Sequence, residues 1–160
     1  MTDRAPQTQE GAIYARYILN SPDRLMACLE GMDVARINWR PPAPDTNSVY
    51  ALAMHTLGNA EENILRTLCG QPSTRDRAGE FAAQAPSIDV PHQWWQELRE
   101  QLQRAMTALS AADLERAVTH PRRGVLTGRE VLIVVARHAA EHLGQAELTR
   151  DLAKAMQASA

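Results

Sequence analysis

Two histidines stand four residues apart in the segment 138–142, which reads His-Ala-Ala-Glu-His. On a helix, side chains at this spacing lie one above the other on the same face, so both imidazoles can bind one metal ion. Two ligands do not complete a site, and a histidine on an apolar helix face is often only a hydrogen-bonded core residue. The spacing by itself therefore favours metal binding and structural packing equally.

A third histidine, His55, lies in another segment with helical periodicity. It is at the edge of an apolar stripe formed by Val49, Leu52, Ala53, Thr56, Ala60 and Ile64. Facing helices of a bundle build metal sites from inward side chains. Three histidines on two helices would leave coordination positions open, as a catalytic zinc site or an open nickel or iron site requires. The candidate ligands are thus His55, His138 and His142.

Glu141 raises a competing interpretation, because His-x-x-Glu-His is also the pattern of inverted zinc proteases, with the Glu as general base. Such an enzyme needs another ligand well downstream, whereas only 18 of the 160 residues follow His142. A solvated residue paired with Arg137 is the better interpretation of Glu141. Glu141, Asn59 and Gln145 are candidates for the surroundings of the ligands, although helix-packing hydrogen bonds explain Asn59 and Gln145 equally well.

Other groups able to do chemistry lie in connector-like surroundings. His92 and His120 stand next to prolines, and we expect both at the surface. Arg122 and Arg123 precede a glycine and can bind an anion, although a solvated loop is the default interpretation.

Four long helices are predicted to position these residues, joined by short or medium connectors. A Pro-rich stretch, 39–45, is predicted to be extended, segment 71–89 a polar connector with weak helical character, and segment 119–124 a basic loop. Thr127 and Glu130 form a capping box at the start of the last helix. The pattern predicts an all-α four-helix bundle with helices at about 10–31, 46–69, 91–109 and 128–157.

Composition sets the broad class. With 44% hydrophobic and 22% charged residues, the chain is ordinary for a globular protein, and we expect one domain over residues 1–160. A formal net charge of −2 argues against binding to nucleic acid or to an anionic membrane. The absence of a signal-like or membrane-spanning segment predicts a cytoplasmic location. The two cysteines lack Cys-x-x-Cys spacing, and we expect them to be reduced and inert.

Three segments carry a family resemblance: the Trp-Arg-Pro connector leading to the first histidine, an Arg-Asp-Arg-Ala-Gly-Glu-Phe segment and the last helix, within 37–55, 75–81 and 127–150. They resemble the DinB-like (damage-inducible) four-helix-bundle superfamily, which includes the YfiT-like metal hydrolases. The similarity spans about residues 10–155 and is most specific in the final helix. It implies that His55, His138 and His142 are the ligands of one divalent ion, with zinc, nickel and iron as the plausible metals.

The resemblance also implies classes of activity. Some relatives are thiol-dependent S-transferases or isomerases that use mycothiol, bacillithiol or glutathione, which makes a low-molecular-weight thiol an expected second cofactor. A thiol bound at an open metal position becomes a thiolate nucleophile, whereas water there would give a hydrolase. Both would act on a small molecule. The alternative is a non-catalytic bundle in which the metal is a structural clip or a sensor input.

A second apolar stripe along the last helix suggests self-association, and members of the resembled superfamily often form dimers. We therefore expect a homodimer. The residues of this stripe are Leu132, Ala136, Ala139, Leu143 and Ala146.

Overall fold

The structure is a computed structural model that describes residues 9–158, and it is built almost entirely from helices. A π-helical segment, Glu61–Leu68, directly continues the third helix, and one antiparallel hairpin joins β1 (Ala117–His120) to β2 (Gly124–Thr127). The helices are α1 (Gln9–Leu29), α2 (Val34–Asn38), α3 (Val49–Ala60), α4 (Arg77–Ala82), α5 (Asp89–Thr107), α6 (Ala111–Glu115) and α7 (Gly128–Ala158).

The long helices form the predicted bundle. Helices α1 and α3 each pack against both α5 and α7, which closes a four-membered ring around the core. Burial of large apolar side chains inside this ring is the main stabilising contribution. The all-α prediction is confirmed. Fully buried core residues from the four helices include Ile18, Leu25, Leu57, Leu102, Met106 and Leu132.

The connector before α3 sets the start of the helix that carries His55. Residues 39–45 contain no helix, as their prolines predict. Ser48 then caps α3, because its hydroxyl accepts a hydrogen bond from the Ala51 backbone N–H at 3.1 Å. This cap places His55 two turns into the helix.

The end of the second predicted helix differs from expectation. An α-helix was expected to reach about residue 69, but Glu61–Leu68 is π-helical, and the backbone N–H of Cys69 donates to the carbonyl of Ile64, five residues back. No side-chain pattern distinguishes this register from an α-helical one. Short π-helical segments are frequent at functional sites, and this one begins six residues after His55.

The expectation of a loop at 119–124 is wrong. β1 and β2 pair with Ala117 opposite Thr127 and His120 opposite Gly124, whose φ of +75° suits a glycine. Alternate residues of a strand point to opposite faces, and Val118 and His120 are the buried ones. The expected surface position of His120 is therefore also wrong.

The second apolar stripe of α7 lies inside the protomer. Leu132, Ala139, Leu143 and Ala146 are all buried, and Ala136 is half-buried against the core. The stripe therefore contributes to the core and offers no surface for a second copy. None of the described helices is both long and apolar enough to cross a bilayer.

Candidate metal centre

Three imidazoles converge between α3 and α7. The Nε2 atom of His138 lies 3.1 Å from Nε2 of His55 and 3.2 Å from Nε2 of His142. All three potential ligand atoms lie within 4.8 Å of one another. The structure thus brings together the three histidines proposed from the sequence, in a group that can hold a metal ion.

The surroundings keep the inner two imidazoles neutral. His55 is only 1% exposed, and burial lowers its pKa despite an opposing hydrogen bond to Glu80. Burial, helped by the neighbouring His142 and His55, lowers the pKa of His138 to about 3. A histidine must be neutral to bind a metal, so both rings are in the required protonation state at neutral pH.

A buried ion pair fixes the orientation of His55. The ring Nδ1–H donates to Glu80 Oε2 at 2.9 Å, so the Nε2 lone pair faces the other two histidines. Arg75 holds both oxygens of Glu80 through two hydrogen bonds of 2.7 Å. Burial acts to raise the pKa of Glu80, but the hydrogen bonds from Arg75 and His55 outweigh it and lower the pKa. The carboxylate is therefore charged.

Gly58 and Phe81 allow the Glu80 carboxylate and the His55 ring to lie side by side. A Cβ atom at Gly58 would lie 2.0 Å from Glu80 Oε1, so only glycine leaves room for the carboxylate at this turn of α3. On the other side, the ring of Phe81 stacks on His55 with centroids 4.1 Å apart. Both contacts restrict the position of the imidazole.

The other two ligand candidates are held differently. His142 Nδ1 donates to Gln145 Oε1 at 2.8 Å, which again leaves Nε2 facing the centre. His138 Nδ1 is buried and has no hydrogen-bond partner among the described residues. Asn59, one helical turn after His55, is 6% exposed, with a buried Oδ1 that also lacks a partner. Glu141 is exposed, lies 3.6 Å from Arg137 and makes no hydrogen bond to the three histidines.

The donor set fits a first-row divalent ion. Three neutral imidazole nitrogens suit zinc, nickel and iron. A tetrahedral zinc with Zn–N bonds of about 2.0–2.1 Å holds its nitrogens about 3.3 Å apart, close to the 3.1 and 3.2 Å separations from His138. Hydrogen-bond acceptors on the distal nitrogens of two rings are also usual for histidine ligands.

Sequence reasoning missed the residues that orient His55. Glu80 is 25 positions from its partner, and spacing carries no information at that distance. The one available signal was the segment 75–81, which matched the resembled superfamily but had no role assigned to its residues. It contributes Arg75, Glu80 and Phe81 to the site.

Comparison with known proteins identifies the family. A family model described as the DinB superfamily matches residues 18–146. The chain belongs to the DinB superfamily. The match includes all three histidines, and it confirms the resemblance seen in the connector and the final helix. DinB membership and the histidine cluster agree with a possible metal site without specifying a reaction.

A solved structure shares the overall fold. The chain is similar to a conserved protein from Enterococcus faecalis, with a TM-score of 0.72 over 90% of this chain and 96% of that one. Sequence identity is 19%, so the similarity concerns the fold alone. No curated protein matches the chain significantly.

Substituting two helical glycines tests the packing at the site. Gly58→Ala is expected to lower the free energy of unfolding by about 1–2 kcal/mol, since displacing Glu80 from its charged partners costs more than alanine's helix propensity returns. Gly144→Ala, with nothing within 4 Å of the added Cβ, should instead raise it by about 0.5–1 kcal/mol. Urea unfolding measures both. Equal stabilisation by the two alanines would contradict the close approach of Glu80.

Proposed function

We propose that this protein is a metal-dependent enzyme in which His55, His138 and His142 bind one divalent ion and leave positions open for a small molecule. The observation that carries the proposal is the convergence of one ligand nitrogen from each histidine, all within 4.8 Å of one another. The acceptors on Nδ1 of His55 and His142 support it, because they fix the tautomers that a metal ligand needs. Zinc, nickel and iron are the candidate ions.

The reaction class that fits best is attack by a low-molecular-weight thiol on a small electrophile. The metal, when bound, would supply Lewis-acid chemistry that lowers the pKa of a thiol or a water molecule beside it. The chain's own residues orient the ligands, and Phe81 covers one face of His55.

The carboxylates near the site favour the thiol over water. Glu80 is fully engaged by Arg75 and His55, and Glu141 is exposed beside Arg137. No other carboxylate among the described residues contacts the three rings. A hydrolase normally uses a positioned general base, whereas a thiol, with a pKa of about 8.5, depends on one less. Hydrolysis is the second reaction class that we propose.

The same shortage of catalytic groups supports an alternative. A non-catalytic bundle would use the three histidines as a clip between α3 and α7, or as a sensor. A clip would join helices that are remote in sequence, since 83 residues separate His55 from His138. Because the metal would bind only the folded state, its binding would then raise the free energy of unfolding.

Elemental analysis of untagged protein tests the metal, and turnover assays test the reaction. We expect about one divalent ion per chain and its loss in the triple variant His55→Ala, His138→Ala, His142→Ala. The metal-loaded protein should consume thiol with a small electrophile, and chelation should abolish turnover. Metal content unchanged in the triple variant would refute the site. A large chelator-induced drop in melting temperature, without turnover of any thiol pair or ester, would favour the clip.

Two glutamates provide a matched test of the support for the ligands. Glu80→Gln should weaken zinc binding about 10- to 100-fold, because the charged acceptor on His55 is lost. Glu141→Gln makes the same chemical change beside His142, on an exposed side chain, and should leave affinity unaltered. Competition titration with a chromogenic chelator measures both. Equal affinities for the two variants would exclude the orienting role of Glu80.

We also propose that the protein is a homodimer. Large apolar side chains at the surface of α7 support this proposal, whereas the other apolar stripe of this helix is buried. Light scattering should give twice the chain mass of 17.7 kDa, and a monomer at micromolar concentration would exclude the dimer. The exposed residues are Ile133, Leu148, Leu152 and Met156.

A further inference from the structure

A polar cavity of about 190 Å³ lies beside the histidine cluster. It borders the cluster through Asn59, one turn after His55, and through Arg75, whose Nη2 lies 3.3 Å from His55 Nδ1. A molecule in the cavity would therefore share Arg75 as a neighbour with the candidate metal centre.

The lining carries positive charge that has no carboxylate partner. Arg75 is paired with Glu80, but neither Arg77 nor Arg122 has an ion pair with any described residue. Arg77 lies over the ring of Phe81, with 4.9 Å from its guanidinium carbon to the ring centroid. One acidic residue, Glu62, also lines the cavity and accepts a hydrogen bond from Ser73.

The positive charges of these arginines repel one another, and the pKa of Arg122 reflects this repulsion. Burial, together with the charges of Arg77, Arg75 and Arg123, lowers the pKa of Arg122. An anion between the guanidinium groups would relieve this repulsion, and guanidinium groups match the oxygens of carboxylate and phosphate geometrically.

Buried neutral groups complete the lining. His120 is 7% exposed, and its Nδ1 accepts the backbone N–H of Arg122 at 3.1 Å. In the neutral ring the proton is therefore on Nε2, which has no partner among residues 9–158. Asn59 and Asn63, 6% and 2% exposed, each have a buried Oδ1 without a partner. Such acceptors are costly to leave unpaired, and a ligand hydroxyl or N–H would satisfy them.

We propose that this cavity binds a carboxylate or phosphate group through Arg77, Arg122 and His120, with Asn59 and Asn63 accepting from a hydroxyl or amide N–H next to that group. The proposal that the cavity binds an anion depends only on the contacts of its lining residues and not on the proposed function. That the bound molecule is a reactant of the metal centre rests on the function proposed above. It would make that reactant an anionic small molecule, with its charged end at the hairpin and its reactive end at the histidines.

Calorimetry with three small probes tests the cavity. The probes are inorganic phosphate, N-acetylglycinate and the neutral N-acetylglycinamide, titrated into the full chain as purified and again after chelation. We expect at least one of the two anions to bind in both preparations and to bind more tightly than the neutral amide. The tighter anion distinguishes phosphate from carboxylate recognition. Equal binding of the neutral amide, or binding of neither anion at millimolar concentration, would overturn the proposal.

Arginine variants localise the binding. Arg122→Gln and Arg77→Gln should each weaken anion binding about tenfold or more, because a charge-assisted contact is lost. Arg123→Gln removes the same charge from the same turn at a residue outside the cavity, and should have a much smaller effect. Arg122 is exposed, so its variant remains informative if the loss of the Arg77 contact with Phe81 impairs folding. Equal effects of Arg122→Gln and Arg123→Gln would overturn the cavity as the binding site.

Different experimental results would refute the anion-binding cavity and the metal centre. Anion binding that depends on Arg122, in protein whose elemental analysis shows no divalent ion before chelation, supports the cavity and refutes the metal centre alone. Anion binding that disappears on chelation and ignores both lining arginines refutes the cavity, because the anion would then be a ligand of the metal alone.

Discussion

The buried ion pair between Arg75 and Glu80 is the interaction on which the site depends. A carboxylate that is 8% exposed is costly to desolvate, and it stays charged here because two guanidinium hydrogen bonds and one imidazole hydrogen bond satisfy it. Removing one member would leave an uncompensated charge in the interior, which typically costs about 3–5 kcal/mol. The orientation of His55 follows from this pair, because Nδ1 has no other acceptor among the described residues.

The helical bundle sets the distances between the histidine rings, which the ion pair does not determine. Packing of α3 against α7 brings His55 to the other two histidines, and that contact is made by ordinary core side chains. The helices set the distance between the rings, whereas the short segment around α4 sets the tautomer of one ring. The site therefore depends on two elements of very different length: α7 has 31 residues and α4 has 6.

Periodicity and local signals predicted most of the framework. Helix spacing identified His138 and His142 as neighbours, the apolar stripe of α3 placed His55 inward, and prolines marked the connector before α3. What they could not supply was any long-range pairing. The hairpin was missed because its strands have four residues each and its turn is rich in arginine. Glu80 was missed because its partner belongs to another element, and the π-helical register because it has no side-chain signature.

The position of Glu80 in the chain determines which substitutions can alter the site during evolution. Arg75, Glu80 and Phe81 belong to a short segment between α3 and α5, outside the four long helices. The carboxylate that orients the His55 ring therefore comes from outside the long helices and is packed against Gly58 of α3. If the three histidines bind a metal as proposed, substitutions in this short segment would change its affinity while the histidines and the core stay unchanged. In such a protein, drift in ligand affinity would be recorded in this segment and not in the residues that touch the ligand.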